Sequence, residues 1–151
     1  MGADRIVNSV AAFHKHGGPC VVVDLGTAIT FDVVSKSGRY MGGLICPGVD
    51  LAVDALFSKT ARLPMVEVRE PEKLIGTNTV GSIQSGLYYG AIGMIDGILE
   101  RLLEALGSET HLVATGGQAS LILRGSKYLT KVDEDLTLEG LRLIWERNRQ
   151  L

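Results

Sequence analysis

The amino-acid sequence predicts an α/β layer fold, with a mixed sheet and helices on both faces, in a single domain of 151 residues. Three observations lead there. Apolar strand-like runs follow one another closely near 20–24, 28–35 and 39–46. Stretches of helical periodicity then alternate with two further strand-like runs to the end of the chain. No repeat, linker or low-complexity segment breaks the series.

The elements read in order as follows. Residues 3–15 form a helix with Ile6, Val7, Val10 and Ala11 on one face, ended by Gly17-Gly18-Pro19. Gly26-Thr27 separates the first two strands. Lys36-Ser37-Gly38, with the residues of a hairpin loop, separates the second from the third. Pro47-Gly48 turns the chain into a helix over 49–59, and a looser stretch runs from Arg62 to Thr77. A long helix spans Thr79 to Leu106, with Ile83, Leu87, Ala91, Ile95, Ile98 and Leu102 at helical spacing. Gly86, Gly90, Gly93 and Gly97 form a second stripe on it. Each glycine costs roughly 1 kcal/mol against alanine in a helix interior. The simplest offset is close packing of another backbone, from this chain or from a second subunit. The tail reads strand 111–115, helix 118–124, strand 128–132 and helix 137–149. This order is similar to one ribonuclease H-like half of the superfamily that holds actin, the sugar kinases and the heat-shock chaperone ATPases.

Composition narrows the function. Apolar residues make up 46% of the chain, which excludes disorder, and the net charge of −2 comes without a Lys/Arg cluster. No nucleic acid is expected as a partner. No membrane is expected either, because the apolar runs are too short to span one and no secretory leader is read at the start. Cys20 and Cys46 lack metal-site spacing and read as reduced core thiols, so the expected compartment is cytoplasmic.

Four stretches could carry chemistry. In Asp24-Leu25-Gly26-Thr27 the glycine permits a tight turn with N–H groups near an anion, Thr27 adds a hydroxyl, and Asp24 can hold a cation. The same residues suit an ordinary hairpin turn. Ala114-Thr115-Gly116-Gly117 leads from a strand into a helix N-terminus, which is either an anion or nucleotide site or a plain strand-to-helix turn. In Gly2-Ala3-Asp4-Arg5, Asp4 is placed either to cap the first helix or to act as a general base with Arg5 as an anion clamp. Gly76-Thr77-Asn78-Thr79 offers Thr79 as helix cap and as a hydroxyl for a ligand. His14 and His16 do not share a helix face, so they are not read as a metal site. Trp145 and Leu141 read as core residues, and Glu67, Glu70 and Glu72 as a solvated loop.

In combination these stretches resemble the type III pantothenate kinases. The series is Gly2-Ala3-Asp4-Arg5, Asp24-Leu25-Gly26-Thr27-Ala28, Tyr40-Met41-Gly42-Gly43 with Pro47-Gly48, and Ala61-Arg62-Leu63-Pro64. It continues through Gly76-Thr77-Asn78-Thr79, Ser82-Ile83-Gln84-Ser85-Gly86, Thr115-Gly116-Gly117 and Leu136-Thr137-Leu138-Glu139-Gly140-Leu141. The resemblance implies ATP-dependent phosphorylation of pantothenate to 4'-phosphopantothenate, the first step towards coenzyme A. By motif, Asp4 is similar to the family's proton acceptor, and Gly2, Ala3, Asp4 and Arg5 to its substrate-binding segment. Asp24 is similar to its monovalent cation ligand (potassium or ammonium), Thr27 to an ATP contact and Thr79 to a pantothenate contact. Gly26, Thr115, Gly116 and Gly117 are expected at the nucleotide, which brings Mg2+, and a homodimer is expected.

Family chains hold two ribonuclease H-like halves with ATP between them, the N-terminal half bringing an Asp-x-Gly-Asn-Thr phosphate loop. Residues 1–151 carry one such loop at most, at Asp24 to Thr27. They are expected to correspond to the C-terminal half, without the N-terminal ATP-binding half and inactive alone. The alternatives are a non-catalytic ligand-sensing or interaction module on the same fold, and another kinase of the actin-like superfamily.

Overall fold

The computed structural model describes residues 2–60 and 62–151. Ala61, within the Ala61-Arg62-Leu63-Pro64 motif, lies outside the described residues. The chain runs α1 (Ala3–His16), β1 (Cys20–Leu25), β2 (Ala28–Val34), β3 (Tyr40–Pro47), α2 (Val49–Lys59), α3 (Thr79–Leu106), β4 (His111–Thr115), α4 (Ala119–Leu123) and α5 (Leu136–Arg149). The four strands form one sheet in the order β3-β2-β1-β4. β3, β2 and β1 are antiparallel neighbours, and β1 pairs parallel with β4. The sheet is therefore mixed.

Alternation along β1 builds two cores. Val21, Val23 and Leu25 join Ile29, Phe31 and Val33 of β2 against Tyr88, Ile92, Ile95 and Leu99 of α3. Cys20 and Val22 join Val34 and Val113 against Ala11 and Ala12 of α1 and Leu136 of α5. Helices thus cover both faces, as the sequence predicts. Cys20 and Cys46 are free thiols, and burial pushes Cys20 up to about 11. No helix among the described residues is long and apolar enough to cross a membrane.

Three expectations are corrected. The strand at 128–132 reduces to a single parallel bridge between Val132 and Ala114, followed by a bond from the Asp133 N–H to the Ala114 carbonyl. Its first residues are diverted into a turn instead. Ser126 Oγ accepts from the N–H groups of Tyr128 and Leu129, while Asp96 of α3 accepts from the Ser126 hydroxyl and the Lys127 N–H. The buried stripe of α3 is Ser85, Tyr88, Ile92, Ile95 and Leu99, so the helix is rotated by about one position from the predicted stripe: Ile95 is shared in full, while Ala91, Ile98 and Leu102 pack against the core half-buried. Trp145 and Leu141 are exposed, because α5 buries Leu136, Gly140 and Leu143 and turns the next stripe outward.

Candidate active site

The C-terminal ends of β1 and β4 carry the polar residues of the sheet to one place. Asp24 lies on the side of β1 that faces α1, in phase with Cys20 and Val22. On β2 the matching positions are Thr30 and Asp32, opposite Asp24 and Val22. On β4 the match is Thr115, which is buried opposite Asp24. α1 lies over this polar strip and supplies Asp4 and Arg5 from its first turns and Asn8 from the next.

Each group has a definable electrostatic state or partner. The half-buried Asp24 carboxyl is held above the usual carboxylate range, first by burial and then by the negative charges of Asp4 and Asp32. A hydrogen bond from Asn8 Nδ2 to Asp24 Oδ2, at 3.4 Å, opposes that rise. The Thr137 hydroxyl donates to Asn8 Oδ1 at 2.6 Å, which directs the amide's donor end at Asp24. Arg5 Nε donates to Asp32 Oδ1 at 2.7 Å, and the Tyr40 hydroxyl donates to the same oxygen at 2.7 Å. Burial first, and then the Asp32 bond, raises the Tyr40 hydroxyl.

The Asp24–Thr27 turn is clamped from two sides. The Gly48 N–H donates to the Thr27 carbonyl at 3.0 Å, and the Gln118 N–H to the Leu25 carbonyl at 3.0 Å. Gly116 adopts φ +102°, where a side chain is strained, and a Cβ there would stand 2.6 Å from Asp24 Oδ1. Only glycine lets the loop after β4 approach that carboxylate.

Asp4, Asp24, Gly26, Thr115 and Gly116 are thus drawn to one end of the sheet, with Gly2 and Ala3 at the start of α1 beside them, while the Arg5 side chain reaches to Asp32 in the middle of β2. Thr27 and Gly117 are exposed in the two adjoining loops. Thr79 stands apart. It lies in the exposed first turn of α3, on the opposite side of the sheet from α1, beside a cavity of about 660 Å3 lined by residues including Arg69, Lys73, Asn78 and Gln84. Two capping expectations are corrected. Gly2 is the N-cap of α1, so Asp4 lies inside the helix, and Asn78 rather than Thr79 caps α3 by accepting from the Gly81 N–H at 2.8 Å. α4 has five residues, which is shorter than expected.

The sequence reading missed Asn8 and Asp32, and it gave no role to Tyr40 and Thr137, which stand in its motif series. Asp32 had a signal, a charge between Phe31 and Val33 in phase with Asp24. Asn8 had none, because it sits beside the apolar stripe of α1. Among the described residues no three His, Cys, Asp or Glu side chains group to hold a metal ion. A cation at Asp24 would therefore complete its shell with backbone carbonyls, water or ligand oxygens. The one donor the chain is seen to offer there, the Asp24 carboxylate, is oxygen, which fits a hard cation.

The model of the family described as type III pantothenate kinase matches residues 1–101. The chain belongs to the type III pantothenate kinase family. Curated family members of that name include one from Solibacter usitatus, 65% identical over 98% of this chain and 57% of its own length. Another, from Koribacter versatilis, is 61% identical over 99% of this chain and 54% of its own. The chain therefore spans about half the length of the curated type III pantothenate kinases it matches. Among solved structures, a protein described as a conserved Baf family transcriptional activator from Campylobacter jejuni superposes with a TM-score of 0.66. It is 25% identical, over 100% of this chain and 66% of its own. The activator of 2-hydroxyisocaproyl-CoA dehydratase from Clostridium difficile, solved with bound ADPNP, shares the fold at a TM-score of 0.51 and 13% identity, over 98% of this chain and 69% of its own. The chain thus shares its fold with both of these proteins.

Proposed function

We propose that residues 1–151 are the C-terminal, ribonuclease H-like half of a cytoplasmic enzyme that uses ATP to phosphorylate pantothenate to 4'-phosphopantothenate. The observation that carries this is the approach of Asp4 on α1 to Asp24 on β1, with Arg5 next to Asp4 on the same helix and paired with Asp32 on the same face of the sheet. Phosphoryl transfer needs a positioned acceptor hydroxyl and neutralised phosphate charge more than it needs covalent chemistry.

In this assignment Asp4, exposed at the head of α1, accepts the proton of the acceptor hydroxyl. Gly2 to Arg5 line the substrate, and Arg5 clamps an oxygen of it. Asp24 holds a monovalent cation, whose charge offsets phosphate oxygens and the repulsion that Asp4 and Asp32 exert on Asp24. Gly26, Thr27, Thr115, Gly116 and Gly117 meet the nucleotide, which carries Mg2+. Thr79, remote from Asp4 within one chain, reaches pantothenate from a second subunit of a homodimer. An N-terminal half, matching the remaining length of the relatives, closes the nucleotide cleft with its own phosphate loop.

Mixing or coexpression with such an N-terminal half should give ATP-dependent phosphorylation of pantothenate. Asp4→Asn should then lower turnover by about a hundredfold or more, because an amide cannot take up the proton. No turnover from a folded mixture, or full turnover from the variant, would overturn the assignment. A second possibility, a non-catalytic ligand-sensing or interaction module, draws on the Campylobacter jejuni relative's description as a transcriptional activator. It predicts pantothenate binding with no phosphorylation in any mixture.

A further inference from the structure

Asp32 is a carboxylate in the middle of a core strand, 1% exposed, between Phe31 and Val33. A buried ion pair in such a position is often no more stabilising than apolar side chains of the same volume. Stability alone therefore gives no reason for the Asp32–Arg5 pair. Three features converge on Arg5 instead. Its Nε donates to Asp32 Oδ1 at 2.7 Å, which fixes the root of the guanidinium. The Tyr40 hydroxyl donates to the same oxygen at 2.7 Å, which fixes the carboxylate in turn. Gly43 stands opposite Asp32 on β3, where a Cβ would lie 1.9 Å from the Phe31 carbonyl oxygen and 2.9 Å from Arg5 Nη2, so the glycine that the β2–β3 approach requires also leaves room for the guanidinium against the strand.

A guanidinium has five N–H donors. One is committed to Asp32, and among the described residues the Arg5 side chain makes no other hydrogen bond. Its side chain remains 18% exposed, on the face of the sheet that also carries Asp24. The Nη fork is therefore held in place and unspent.

We infer that Asp32, steadied by Tyr40 and given room by Gly43, is a positioning residue that locks Arg5 through Nε so that its Nη fork meets an oxygen of the substrate bound beside Asp4. This rests on the assignment of pantothenate as substrate. Asp32 itself never touches the substrate; it acts through Arg5.

The test is a double-mutant cycle on pantothenate affinity, measured by calorimetry on the 151-residue chain. Circular dichroism establishes that each variant is folded. Asp32→Asn should weaken pantothenate binding about tenfold, as expected for a misaligned charge-assisted contact. In an Arg5→Gln background the same substitution should change affinity by less than about twofold, because the residue through which Asp32 acts is gone. Tyr40→Phe, a milder change that keeps the buried carboxylate, should weaken binding about threefold alone and not at all beside Arg5→Gln. It carries the test if Asp32→Asn does not fold. Equal losses in both backgrounds, or no loss in the original one, would overturn the positioning role while leaving pantothenate as substrate. An unsubstituted chain that binds no pantothenate would instead remove the substrate assignment and this inference together.

Discussion

Asp24 shows how one side chain ties stability to charge at the candidate site. A carboxyl whose pKa is raised on folding binds its proton more tightly in the folded state. Its contribution is then fully present below the ordinary value of 3.8 and is lost as pH rises through the folded value. Asp24→Asn removes that loss. In buffer free of potassium and ammonium, the variant should melt above the unsubstituted protein at neutral pH, and the gap should close as pH falls below about 4. A gap that is constant with pH would show that burial and the charges of Asp4 and Asp32 do not act on this carboxyl. Gly116 supports the same carboxyl by geometry. Gly116→Ala places a methyl 2.6 Å from Asp24 Oδ1 and from the Leu25 backbone at φ +102°. The expected cost is about 2 kcal/mol or more, read as a lower denaturant midpoint at unchanged slope. At this scale the sequence was half legible. Asp24, Gly116 and Asp4 stand in short polar breaks beside apolar runs, where their chemistry can be read. Asn8 and Tyr40 acquire a role only once α1 and β3 are folded onto the sheet, and nothing local announces that contact.

Helix α3 shows what periodicity can and cannot say about an element. Its limits, Thr79–Leu106, agree with the sequence because the Asn78 cap and the Gly107 stop are both local. Its rotation does not, because Ser85 and Tyr88 are buried while Ile83 and Leu87 lie half-exposed, and hydropathy alone ranks these pairs the other way. The glycine stripe has a clear outcome. A Cβ at Gly86, Gly90 or Gly93 would meet nothing within 4 Å, so no segment among the described residues packs against them. Within a lone chain, Gly93→Ala should therefore stabilise by about 0.5–1 kcal/mol through reduced backbone freedom. Denaturation at low and high protein concentration separates this from the proposed homodimer. A second copy seated on the stripe would make the substitution destabilising, increasingly so where the dimer is populated. The lost strand at 128–132 has the opposite lesson. Its pattern was adequate for a strand, but Ser126 and Asp96 offer its backbone other partners, and Val132 alone reaches β4.

At the scale of the molecule, the mixed sheet and the two-sided helix cover were legible because they follow from the order of elements and from short connections, whereas the strand order was not read from the sequence. In the proposed two-half enzyme, one sheet and its helices would provide one wall of a cleft. The polar groups gathered at the ends of β1 and β4 lie beside the first turns of α1, and the turn at Asp24 to Thr27 is held by Gly48 and Gln118. The two proposed ligands should therefore divide unequally between the halves. The pantothenate contacts assigned here, Gly2 to Arg5 and Thr79, all belong to this chain, whereas the nucleotide is assigned only one of its two phosphate loops. Calorimetry on the isolated chain should accordingly detect pantothenate, while ATP should bind at least about tenfold more weakly than it does once the N-terminal half is added. Losing half the polar contacts to a multiply charged phosphate group removes at least one charge-assisted interaction of about 1.5–3 kcal/mol. Equal ATP affinity with and without the added half would mean that the wall formed by β1 and β4 suffices for the nucleotide, and the division of labour between the halves would have to be redrawn.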